Sequence, residues 1–127
     1  MPVEEALQLW VPLGILALSA STALAARILQ RRRPRRRSMQ GLEPGVSLFT
    51  SERCPGCDPV RSRLIEVLGA EGFREIKWTD QPDLFVTHTV DRVPTTAAVD
   101  ASGDAFIWEG MPPIRLVQRW RSFVNQP

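Results

Sequence analysis

"SLFTSERCPGCDPVRSRLIEVLG", Ser47–Gly69, carries both cysteines of the chain, Cys54 and Cys57, between an apolar run and a helix-like one. Val46 to Thr50, "VSLFT", is short, apolar and rich in β-type residues, and reads as a buried strand. "SERCPGC" follows as a loop. Asp58 to Leu68 reads as a helix: Asp58 is expected to cap it and Pro59 suits its first position. Val60, Leu64, Val67 and Leu68 recur at helical spacing and face a core. Gly69 or Gly72 is available for a left-handed cap. Two thiols three residues apart, between strand and helix, leave three readings open: a reactive pair, half of a metal site, or two incidental cysteines.

Downstream, "FREIKWTD" (Phe73 to Asp80) alternates apolar and polar residues and reads as a second strand. "QPDLFVTHTV" is expected to form a short helix. "VPTTAAVDASGDAFIWEG" reads as two strands joined by a tight turn at Asp100 to Asp104. "PPIRLVQRWRSFV" closes the chain as an amphipathic helix, with Ile114, Val117, Trp120 and Val124 on or near one face. The order β-α-β-α-β-β-α demands one parallel crossover and one antiparallel hairpin. The expectation is an α/β domain with a mixed four-stranded sheet and helices on its faces.

Upstream, Ala6 to Ala26 is 21 residues without a charge. A helix rising about 1.5 Å per residue makes that enough for a hydrocarbon core of roughly 30 Å. Trp10 suits a membrane boundary, and Pro12 is expected to sit near the helix start, where a missing N–H costs little. A cleaved signal peptide would carry a basic leading segment, whereas Glu4 and Glu5 lead here. Arg27, Arg31, Arg32, Arg33, Arg35, Arg36 and Arg37 then supply seven of the sixteen basic residues. Basic residues beside a span favour the cytoplasmic side, so the N-terminus is expected outside and the C-terminal domain inside. The arginines are also suited to anionic lipid headgroups. Pro34 is expected to end the helix, and "SMQGLEPG" to form a flexible tether. The resulting division is an anchor over 1–29, a linker over 30–45 and a domain over 46–127. The net charge of +2 hides its distribution: from Ser38 onward nine basic residues meet twelve acidic ones. A mildly acidic domain offers no face for nucleic acid.

The chemistry expected of the cysteines follows from their place. A helix N-terminus presents unpaired N–H groups and partial positive charge, which stabilise a thiolate. Cys54 is then the exposed nucleophile and Cys57 the more buried thiol that resolves a mixed disulfide. Pro55 and Gly56 shape the turn between them. A structural zinc site needs four ligands, and beyond the two thiols the chain offers only His88 and carboxylates. An iron–sulfur or metal site shared between two chains stays open. A purely structural disulfide across so short a loop would stabilise little. No cofactor is called for. Pro94, at the start of a strand, is in a place where proline is tolerated.

Strand, Cys-x-x-Cys, helix, strand, helix, "VPT", hairpin, glycine and helix together resemble the thioredoxin family over about Val46 to Val124. With one span and an Arg-rich linker ahead, the chain looks like the small membrane-anchored thioredoxin-domain proteins of actinobacteria. The resemblance rests on "CPGC" at Cys54–Cys57, "VPT" at Val93–Thr95 and Gly110. It implies a glutaredoxin-sized thioredoxin-like fold and a thiol–disulfide oxidoreductase. It also implies a cis-Pro94 against the cysteine pair, Val93 pairing its backbone with an extended substrate, and Thr95 and Gly110 in the same groove. The implied partners are a protein disulfide or a low-molecular-weight thiol, a thiol reductant, and the bilayer through the N-terminal helix.

The chain departs from thioredoxin in Arg53 where a tryptophan precedes the motif, in the order Pro55-Gly56, and in Leu48 where a buried aspartate relays protons. Arg53 either lowers the thiolate's pKa or is simply solvated. A glutaredoxin-type enzyme and a redox-inert adaptor on the same fold are the alternatives.

Overall fold

The computed structural model describes residues 3–31 and 34–124; Arg32 and Arg33 of the basic block lie outside the described residues. Two compact units divide at Arg33/Pro34.

The first unit is one helix, α1 (Val3–Arg31). Within it Glu4–Leu29, 26 residues of mean hydropathy 1.8, is long and apolar enough to cross a membrane. At about 1.5 Å per residue it extends roughly 39 Å. Its hydroxyls return to the helix's own carbonyls: Ser19 to Leu16, Ser21 to Ala17 and Thr22 to Leu18 and Ser19, at 2.9–3.1 Å. That leaves these side chains no unmet donor in an apolar medium. Pro12 does not fall in the first turn, as its place in the sequence suggested. The helix begins at Val3, so Pro12 lies inside it and removes one internal hydrogen bond.

The second unit contains β1 (Arg35–Ser38), β2 (Gly45–Thr50), α2 (Cys57–Leu68), β3 (Phe73–Lys77), α3 (Pro82–Thr87), β4 (Thr95–Val99), β5 (Asp104–Glu109) and α4 (Ile114–Val124). The strands form one mixed sheet in the order β1-β5-β4-β2-β3. Among the described residues only β2 and β3 pair in parallel, from Val46 opposite Phe73 to Thr50 opposite Lys77. The β4–β5 hairpin closes where the Asp100 carboxylate accepts from the Ser102 hydroxyl and from the N–H groups of Ser102 and Asp104.

The sheet has five strands, not four. Arg35–Ser38 pairs antiparallel with β5, Arg35 opposite Ile107. Every residue of β1 is exposed, so the strand carries no apolar alternation to betray it. The expected tether is also ordered: Met39 donates its N–H to the Gly103 carbonyl at 2.8 Å, and Met39 and Leu42 are buried.

The two faces of the sheet bury different sets. Val46, Leu48 and Ala98 pack with Val60 and Leu64 of α2 and Val117 and Trp120 of α4. Phe49, Ile76, Ala97, Val99, Ala105 and Ile107 pack with Phe85 of α3, Met39 and Leu42. Helix α3 is only six residues long, so the segment after β1 covers the rest of that face. The inner strand β2 is buried on both sides, which is why it reads as a continuous apolar run.

Candidate functional site

Strand β2 ends at Thr50, and the loop 51–56 carries the chain to α2. The helix starts at Cys57, one residue ahead of the expected Asp58. Its N-cap is Gly56, with no side-chain capping bond. The Cys57 N–H instead donates to the Cys54 carbonyl at 3.2 Å, closing a turn around Pro55 and Gly56. Asp58 is therefore not the cap, and its carboxylate pairs with Arg61. Pro59 remains within the first turn, where helix N–H groups have no internal acceptor.

Cys54 and Cys57 are joined in a disulfide. Cys54 is half-buried, whereas Cys57 is 2% exposed. The first cysteine is thus the more exposed of the two and the second is enclosed. Arg53, Pro55 and Gly56 are all exposed, and among the described residues Arg53 joins no ion pair.

Pro94 is brought to this turn from β4's leading end. The Val93–Pro94 peptide bond is cis. A Cβ placed on Gly56 would lie 3.4 Å from Pro94 Cδ, so the prolyl ring lies against the turn between the cysteines. Gly110 donates its N–H to the Pro94 carbonyl at 2.8 Å. The Thr95 hydroxyl donates to the Arg92 carbonyl at 2.6 Å. The Val93 side chain packs against the α3-side core, while its N–H and C=O take no backbone partner among the described residues. Leu48 is fully buried in the cluster of Val46, Val60, Leu64 and Trp120. The loop after Gly110 is tied to α2, since Arg63 donates to the Pro112 carbonyl at 3.0 Å.

On the other flank of the cysteines lies a polar cavity of about 560 Å³ with both cysteines in its wall. An ion cluster forms part of its wall. Arg61 is hydrogen-bonded to Glu75 through Nε and to Asp58 through a terminal nitrogen, and Lys77 Nζ is 3.9 Å from Glu75. The Glu75 carboxylate, first, and Asp58 hold the guanidinium more basic than usual, against the opposing effect of burial. Glu75 and Arg61 were not singled out from the sequence. The signal was present in part: Arg61 is one turn beyond Cys57 on α2, so the two share a helix face. Glu75 comes from β3, whose pairing with β2 only the register reveals.

His88 is buried at 7% exposure, a packing residue at the end of α3. Desolvation, and then the nearby Arg37, lower its pKa. Among the described residues no group of three or more His, Cys, Asp and Glu side chains could hold a metal ion.

No protein-family model matches the chain, and no curated protein matches it.

Proposed function

We propose that the chain is a membrane-tethered thiol–disulfide oxidoreductase with a thioredoxin-like fold, acting through Cys54 and Cys57. The observation that carries the reading is the asymmetric pair: a half-buried Cys54 and a buried Cys57, joined at the first residue of a helix. A thiolate there is favoured by the helix N-terminus. Attack by the Cys54 thiolate on a substrate disulfide gives a mixed disulfide and releases one substrate thiolate. Attack by Cys57 on Cys54 Sγ then expels the second and restores the Cys54–Cys57 bond. Two electrons pass from the protein to the substrate, and a thiol reductant must return them. Val93, whose backbone groups take no backbone partner among the described residues, with Pro94 and Gly110 beside it, is suited to hold an extended segment carrying the substrate disulfide. Thr95, buried between β2 and β5 with its hydroxyl on the Arg92 carbonyl, supports the turn and does not face that segment.

Helix α1 supports a membrane location, and the arginines after it favour the cytoplasmic side for the domain. Tethering raises the effective concentration of membrane-proximal partners. The test is a redox titration of the full chain in non-ionic detergent against thiol–disulfide buffers. A reversible two-electron couple is expected. A potential near the thioredoxin value of about −270 mV fits a cytoplasmic reductant, and one near −120 mV contradicts the proposed side of the membrane. The absence of any reversible couple refutes the oxidoreductase.

A further inference from the structure

We propose that the polar cavity beside the cysteine pair selects disulfides that carry positive charge next to the reacting sulfurs; the inference rests on the redox reading above and names its substrate class. The cavity is concave, about 560 Å³, and both cysteines form part of its wall. A group attached to a sulfur bound at Cys54 has room there. The ionisable side chains that line it are Glu52, Asp58, Glu75 and Asp80 against Arg61 and Lys77, a net charge of −2. Both cations are already engaged: Arg61 by Glu75 and Asp58, Lys77 by Glu75. Among the described residues Glu52 and Asp80 take part in no ion pair. A cationic group entering the cavity meets two carboxylates with no partner of their own, and an anionic group meets no unengaged cation on its wall. The +2 of the chain lies in its N-terminal unit; from Pro34 onward twelve basic residues meet twelve acidic ones, so the unit that carries the cavity has no net charge to favour either sign. A preference for cations therefore reports this cavity and not the molecule at large.

The test uses the full chain in non-ionic detergent, reduced with a phosphine that is then removed. The Cys54/Cys57 dithiol is oxidised in a single turnover by three small disulfides: cystamine (cationic), bis(2-hydroxyethyl) disulfide (neutral) and 3,3′-dithiodipropionate (anionic). In each reaction the dithiol loses two electrons, the small disulfide gains them, and two small thiols leave with the protons. These disulfides also differ in leaving-group acidity, which alters exchange rates by itself. Each rate is therefore divided by that of the same disulfide with mercaptoethanol.

For two carboxylates about 7 Å from the ligand charge in water, the normalised cation-to-anion preference is about five- to tenfold at roughly 0.1 M salt. It falls to about twofold near 0.5 M as screening shortens. In the Glu52→Gln/Asp80→Asn double variant, both positions exposed, the preference is expected to collapse towards unity. Equal normalised rates for the three disulfides, or a preference for the anionic one, overturn this inference alone. So does a preference that survives undiminished in the double variant. Failure of all three disulfides to oxidise the dithiol overturns it together with the redox reading.

Discussion

Arg61 pairs with two carboxylates that differ sharply in burial, which gives a controlled comparison. The Glu75 side chain is 18% exposed and that of Asp58 is 83% exposed, while Arg61 itself is 33% exposed. Two unit charges 4 Å apart attract by about 4 kcal/mol at an effective dielectric of about 20, and by about 1 kcal/mol in water. With a third of the Arg61 side chain in water, the Glu75 pair falls between these limits. Replacing Glu75 by Gln removes the charge but keeps an acceptor, for an expected loss of about 1–2 kcal/mol. Asp58→Asn acts on an exposed i,i+3 pair and is expected to cost at most about 0.5 kcal/mol. Thermal unfolding of the oxidised full chain in non-ionic detergent, followed by near-UV circular dichroism, measures both. For a unit of this size about 1 kcal/mol moves Tm by roughly 4–8 °C. Glu75→Gln should therefore lower Tm by about 5–15 °C and Asp58→Asn by less than about 4 °C. Equal shifts in the two variants would refute the assignment of half-buried Glu75 as the anchor of the cluster.

Gly110 has φ +85°, and a Cβ there would meet nothing within 4 Å. Gly110→Ala is thus a purely conformational perturbation, expected to cost about 1–2 kcal/mol in the same assay; a neutral effect would show that the backbone at this position relaxes freely. His88 has a lowered pKa in the folded chain because burial, and then Arg37, disfavour its charged form. The unfolded chain therefore binds the proton more readily, so stability is full above the ordinary histidine pKa of about 6.5 and falls as pH drops through it towards the folded value. Tm measured from pH 7.5 to 5 should decline in the wild type, and His88→Gln should flatten that part of the curve. Asp100, whose pKa is lowered from 3.8 by its bonds to Ser102, titrates below this window.

What was legible in the sequence is what burial writes into it. Strand β2 is buried on both faces and appears as "VSLFT"; α2 shows Val60 and Leu64 at helical spacing because both reach the core. The helix start was displaced by one residue because Asp58 and Pro59 are residues that caps favour, whereas Arg61 takes up the Asp58 carboxylate. The juxtaposition of Gly56, Pro94 and Gly110 came from resemblance to a family and not from periodicity. The Arg61–Glu75 contact was not legible, because it depends on which strand lies beside β2. Met39 and Leu42 stood among turn residues in "SMQGLEPG", and two isolated apolar residues there set no period. Their burial follows from the shortness of α3, which leaves part of the sheet to be covered by whatever chain is at hand.

The arginine block shows why composition assigned one role where the structure requires two. Beside an apolar helix, a run of arginines reads as a topology determinant, and the proposed orientation uses it so. Arg35, Arg36 and Arg37 nevertheless form the edge strand of the sheet. An edge strand presents unpaired N–H and C=O groups to any other chain, and charged side chains along it discourage strand addition. Individual arginines also have local partners: Arg36 pairs with Asp104 at 3.0 Å and lies over the Phe106 ring, and Arg37 donates to the His88 carbonyl at 2.9 Å. These contacts hold β1 to the hairpin and to the end of α3 without burying the strand. The same charges that would keep the segment out of a bilayer also discourage pairing along the open edge. A hydrophobic edge strand in this position, immediately after a helix long and apolar enough to cross a membrane, would lengthen the apolar segment and blur where it ends. Arginine satisfies both constraints, and for that reason the strand is invisible to any reading based on hydrophobic period.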